Sequence, residues 1–113
     1  MPSHHAVLID DDPWVCERWL QKMKPNKRKM VTFSNGCDFI EQQRRFDRRT
    51  PVFIDLKLQG QALAGVRLLE KAHGKGFCNL YIATAFETAA IPALPEIKGI
   101  IGKEPPNWLI NDI

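Results

Sequence analysis

Cysteine is scarce in this chain. Cys16, Cys37 and Cys78 are odd in number and widely separated, which excludes a disulfide framework or a zinc site. Long apolar runs are absent. The four residues Ala6-Val7-Leu8-Ile9 are typical of the longest, far short of the roughly 18 that span a bilayer. That run meets Asp10, Asp11 and Asp12 directly, which excludes a secretion leader. No charge of one sign dominates, since 16 basic residues face 13 acidic ones. Neither an internal repeat nor a low-complexity segment interrupts the 113 residues. With 44% apolar and 26% charged residues, the composition is that of a folded globular protein and excludes a disordered chain. One domain over residues 1–113, in a reducing, cytoplasmic setting without a membrane span, is the expectation.

What is present is an alternation of short apolar runs with helical patterns. Ala6 to Ile9 reads as a buried strand, ended at Asp10. Asp12-Pro13 reads as an N-cap with proline at the first helical position, and Val15, Trp19, Leu20 and Met23 continue at helical spacing until Pro25-Asn26. Met30 to Phe33 is a second strand, and Ser34-Asn35-Gly36 turns the chain into an amphipathic helix carrying Phe39, Ile40, Gln43 and Phe46. A third strand lies within residues 51–56. A polar loop over residues 57–64 leads to a helix with Val66, Leu68, Leu69 and Ala72, closed at Gly74. Leu80 to Ala83 is a fourth strand, and Ile100-Ile101 is the centre of a fifth. Pro92 and Pro95 limit a helix over residues 87–94 to about two turns, and a last short helix covers residues 107–112.

Five apolar strands alternating with helices predict an α/β three-layer sandwich around a parallel sheet. In such sheets the site lies beyond the carboxyl ends of the strands. That edge selects Asp10 and Asp11 after the first strand, Asp55 after the third, Thr84 after the fourth and Lys103 after the fifth. Carboxylates brought this close repel one another, and a hard divalent cation such as Mg²⁺ is their natural partner. A carboxylate beside a metal and a lysine can attack phosphorus, giving an aspartyl phosphate.

Taken together, Val7-Leu8-Ile9-Asp10-Asp11-Asp12-Pro13, Val52-Phe53-Ile54-Asp55-Leu56, Ala83-Thr84-Ala85 and Ile100-Ile101-Gly102-Lys103 resemble the receiver domain of two-component response regulators. The resemblance covers nearly the whole chain, and the 44 positions from Asp11 to Asp55 are a usual separation in that family. It implies a flavodoxin-like strand order 2-1-3-4-5 with shortened last two helices. It also implies that Asp55 is the phosphoacceptor, and that Asp10, Asp11, Asp55 and the Lys57 carbonyl hold Mg²⁺. Thr84 becomes the switch hydroxyl and Lys103 the conserved-type lysine. The implied partners are a histidine kinase or phosphotransfer protein and a downstream effector. Several features depart from the family pattern: Glu104 stands between Lys103 and Pro105, the loop after Asp55 lacks the usual proline, only 19 positions separate Thr84 from Lys103, Ile100 replaces an aromatic, and the last helix is abbreviated.

These departures support an alternative, a pseudo-receiver that docks proteins without phosphorylation. An enzyme is not expected: a phosphohydrolase would carry an acid two residues after its nucleophile, where Lys57 stands. Nine of the 16 basic residues fall between Lys22 and Arg49, but an apolar strand divides them and their arginines are expected on a solvated helix face, so no nucleic-acid contact is expected. Of the two tryptophans in the first helix, Trp19 is expected in the core and Trp14 outside it.

Overall fold

The computed structural model describes residues 6–61, 64–85 and 96–110. Five strands, β1 (Ala6–Ile9), β2 (Met30–Phe33), β3 (Val52–Asp55), β4 (Leu80–Ala83) and β5 (Gly99–Ile101), form one parallel sheet in the order β2-β1-β3-β4-β5. Helices α1 (Pro13–Met23) and α4 (Asn107–Ile110) cover one face, α2 (Gly36–Glu41) and α3 (Ala64–Gly74) the other.

Alternation along the strands explains this layering. Val7 and Ile9 of β1, with Val52 and Ile54 of β3, pack on Phe39 of α2 and on Leu68 and Leu69 of α3. Ala6, Leu8 and Phe53 point the other way, onto Trp19 and Met23 of α1 and Leu109 of α4. Each fully buried side chain of this size contributes roughly 1.5–3 kcal/mol. Trp19 sits in the core and Trp14 is 68% exposed, as the sequence indicates.

Helix ends follow local chemistry. Asp12 caps α1 by accepting a hydrogen bond from the Trp14 amide. The chain runs through Pro25 in a 3₁₀ turn (Lys24–Asn26) and stops at Lys27, whose φ of 56° is left-handed. There the Lys27 amide donates to the Lys24 carbonyl and the Arg28 amide to the Met23 carbonyl, a Schellman closure. The same motif ends α3, with Gly76 (φ 98°) in the left-handed place and Phe77 donating to Ala72. The helix ends at Gly74, as the sequence indicates, but Gly76 and not Gly74 supplies the positive φ that the closure demands.

Helix α2 is shorter than the sequence pattern predicts. Gln42 leaves the helical region, a 3₁₀ turn (Gln43–Arg45) follows, and Phe46 is extended yet still buried against Phe33 and Phe39. Arg44 and Arg45 thus lie on a turn, while Arg48 covers the Phe77 ring at 4.4 Å and does not line a helix face. The helix expected over residues 87–94 and the end of the last one, residues 111–112, lie outside the described residues.

Candidate functional site

The sheet order places β1 between β2 and β3, so the chain's winding reverses at β1 and a crevice opens at the carboxyl ends. Ile9 pairs with Ile54, and the next residues along the two strands are Asp10 and Asp55. Both carboxylates are buried, at 1% and 6% exposure. From the end of β5, the Lys103 ammonium donates to Asp10 Oδ2 at 2.6 Å and to Asp55 Oδ1 at 2.8 Å. Asp11 is exposed, yet one carboxylate oxygen each from Asp10, Asp11 and Asp55 lie within 4.8 Å of one another.

Electrostatics follow from this geometry. Burial pushes the Asp10 carboxyl above its ordinary value, against hydrogen bonds from Lys103 and the Asp12 amide, and the Asp55 charge adds to the rise. For Lys103, burial favours the neutral amine, but the hydrogen bonds to Asp10 and Asp55 outweigh it and the net shift is upward. The ammonium is therefore held charged between two carboxylates. Cys16 donates from Sγ to the Asp10 carbonyl at 3.3 Å, and burial together with the Asp10 charge raises its thiol to about 11. A crevice of about 350 Å³ opens beside the acids, lined among others by Asp10, Asp11, Pro13 and Thr32.

The remaining sequence-selected residues flank this cluster. Thr84 is buried at the end of β4, where its amide donates to the Ile101 carbonyl at 2.9 Å. The Lys57 amide lies 3.4 Å from Asp55 Oδ1, and its side chain is exposed. Behind Asp55, the first turn of α3 approaches the strand so closely that a Cβ on Gly65 would lie 2.1 Å from the Asp55 carbonyl oxygen. The Gly65 amide donates to the Leu56 carbonyl at 3.0 Å. Only glycine permits this approach, and it fixes the backbone that carries Asp55.

Two supports of Lys103 were not selected from the sequence. The Trp19 indole N–H donates to the Lys103 carbonyl at 3.1 Å, so a core residue of α1 holds the main chain of this lysine. Glu104, the residue that interrupts the family's Lys-Pro pair, forms ion pairs with Arg18 and with Lys22, the latter at 2.7 Å. Arg18 and Lys22 stand four apart on α1, so one helix face presents both cations. That spacing, beside an extra acid after Lys103, is the signal that could have revealed the latch.

No family model matches the sequence, and no curated protein matches it. Solved structures match in fold. A CheY-like response regulator receiver domain protein from Methanospirillum hungatei JF-1 superposes with a TM-score of 0.73 at 18% identity, covering 92% of this chain and 83% of that one. A response regulator receiver protein from Pseudoalteromonas atlantica gives 0.69 at 18% identity, with 87% and 83% covered. The receiver domain of the PhyR response regulator from Erythrobacter litoralis gives 0.67 at 18% identity, with 88% and 78% covered. The chain has the fold of response regulator receiver domains, with the acidic crevice at its switch point.

Proposed function

We propose that this chain is a phosphoacceptor receiver domain, taking a phosphoryl group onto Asp55 from a histidine kinase or phosphotransfer protein. The observation that carries this reading is the Lys103 ammonium bridging Asp10 and Asp55 at 2.6 and 2.8 Å. Turn and cap chemistry account for an isolated Asp10-Asp11-Asp12, but not for a half-buried lysine brought from the far end of the chain onto both acids.

The donor set fits a divalent cation, since carboxylate oxygens of Asp10, Asp11 and Asp55 converge within 4.8 Å. Those three, with the Lys57 carbonyl, would hold Mg²⁺, which would screen the incoming phosphoryl oxygens and the attacking carboxylate. In the transfer itself, an Asp55 oxygen forms the new bond to phosphorus as the bond to the donor atom breaks. Lys103, already charged at neutral pH, pairs with a phosphoryl oxygen as the negative charge on Asp55 is spent in the acyl phosphate. Thr84, at the end of the adjacent strand, is the hydroxyl proposed to move toward the phosphoryl group and report it to an effector.

Incubation with acetyl phosphate and Mg²⁺ tests the reading. Intact-mass spectrometry should show one added phosphoryl group that hydroxylamine removes, and Asp55→Asn should show none. No addition to the wild-type chain with any donor would favour the docking module instead. The Glu104 latch to Arg18 and Lys22, which ties the Lys103 turn to α1, is the observation that would then gain weight.

A further inference from the structure

The opposite end of the sheet carries a second feature that the proposed phosphorylation chemistry does not use. Because α1 runs antiparallel to the strands, its closing turn lies at their amino ends, beside the start of edge strand β2. There a groove of about 530 Å³ is lined by Lys24, Lys27, Arg28 and Lys29, with Leu20, Met30 and Val31 supplying its apolar surface. Among the described residues, no acidic side chain belongs to this lining. The turn is fixed by its Schellman closure, with Lys27 held left-handed, so the cations are presented on a rigid loop.

The same end collects further cations. Lys98 immediately precedes β5, and its amide donates to the Leu80 carbonyl at the start of β4. The Arg48 and Arg49 carbonyls accept from Cys78 and Asn79, just before β4. Lys75 follows α3, next to the Gly76 turn that packs toward Arg48. Asp47, which pairs with Arg49 at 3.7 Å, and Glu96 are the acids in these segments. Among the described residues, the Asp10, Asp11 and Asp55 carboxylates thus gather at one end of the sheet, and these lysines and arginines outnumber Asp47 and Glu96 at the other.

We propose that this basic end docks on an anionic phospholipid bilayer, with lipid headgroup phosphates on Lys24, Lys27, Arg28 and Lys29 and the apolar floor of the groove against the acyl boundary. Charge complementarity names the partner's sign, since clusters of four to eight cations recognise anionic lipid surfaces. The apolar side chains of Leu20, Met30 and Val31 beside these cations favour a lipid over a nucleic acid. Single-strand binding would call for exposed rings to stack on bases. The large exposed hydrophobics among the described residues are Trp14 and Trp108, at the start of α1 and after the Lys103 turn, toward the other end of the sheet. Docked in this way, the chain turns the Asp55 crevice away from the membrane and leaves it open to partners in solution.

Vesicle sedimentation of the full chain tests the proposal, using phosphatidylcholine vesicles with and without phosphatidylserine. The chain should sediment with the anionic vesicles, in a salt-sensitive manner, and stay in solution with the neutral ones. The triple variant Lys24→Gln, Lys27→Asn, Lys29→Gln retains a residue that tolerates the left-handed place. Its affinity should fall by about 100-fold, on the order expected for three surface cations. If that variant loses its thermal transition, the pair Lys75→Gln, Lys98→Gln should still lower binding by about 10-fold or more. Sedimentation independent of phosphatidylserine, no sedimentation at all, or unchanged binding by the folded variant would overturn the proposal. So would tighter retention of single-stranded oligothymidylate than of vesicles at the same salt.

Discussion

At the carboxyl ends of the strands, acids are crowded into a crevice and held by residues distant in sequence: Lys103 reaches Asp10 and Asp55, Trp19 holds the Lys103 carbonyl, and Gly65 lets α3 press against the Asp55 backbone. At the amino ends, cations are spread over turns that close locally, by Schellman hydrogen bonds at Lys27 and Gly76. The first end concentrates like charge at close range and depends on tertiary contacts for its shape. The second gathers its charges on surface turns, and its shape is set within each turn. Function that needs two carboxylates a few ångströms apart demands the first design. A surface that meets a partner by charge needs only the second.

The largest expected effect breaks the first end alone. Lys103→Met leaves Asp10 and Asp55 buried without their shared ammonium, and should destabilise the fold by roughly 3 kcal/mol at neutral pH in urea titrations. The deficit should shrink as pH falls, because burial already raises Asp10 and the variant accepts a proton there more readily. Mg²⁺ should also restore part of it. In the wild type the sign is opposite at high pH. The folded-state value for Lys103 lies above 10.5, so its contribution is complete below that pH and is lost as pH rises through the folded-state value. Equal alkaline sensitivity in wild type and Lys103→Met would show that the ammonium contributes nothing to this end.

A pair of glycine substitutions sharpens the contrast. Gly65→Ala places a methyl group 2.1 Å from the Asp55 carbonyl oxygen and should destabilise by about 3 kcal/mol while weakening Mg²⁺ binding. Gly74→Ala, at the other end, meets nothing within 4 Å and lies in α3, so it should stabilise by roughly 0.5 kcal/mol. Melting curves of the two variants on one protein preparation check both. Matching shifts would contradict the close approach of α3 to Asp55.

The smallest effect concerns thiol reactivity. Cys16 is half-buried under the acidic crevice with its thiol raised to about 11, whereas Cys37 and Cys78 are exposed. Iodoacetamide at pH 8 should label Cys37 and Cys78 first and Cys16 last, as read by peptide mass spectrometry. Early labelling of Cys16 would mean that neither burial nor Asp10 shields it.

How much of this was legible in the sequence depends on the range of the interaction. The five strands read directly, because each is centred on a short run of mostly apolar residues, and the acids at their carboxyl ends follow from the topology rule. Asp12-Pro13 fixes the start of α1 by purely local chemistry. The end of α3 at Gly74 was read correctly, but the left-handed place falls two residues on at Gly76, because both glycines suit a cap and only the hydrogen bonds choose between them. Helix α2 was overextended, since Phe46 sits at helical spacing but reaches the core from an extended backbone. The bond from Trp19 to Lys103 spans 84 positions and had no local signature, and the Arg18–Glu104 pair spans 86, signalled only by two cations four apart on α1. The residues that meet at the crevice, Asp10, Asp11, Asp55 and Lys103, were readable, and the frame that holds them was not.

The most direct test asks where the phosphoryl group goes. After reaction with acetyl phosphate and Mg²⁺, borohydride reduction converts an aspartyl phosphate to homoserine, which peptide mass spectrometry places in the sequence. Homoserine at position 55 and nowhere else is the predicted result. Homoserine at Asp10 or Asp11, or none in a chain that binds Mg²⁺, would contradict the assignment of Asp55 as the phosphoacceptor.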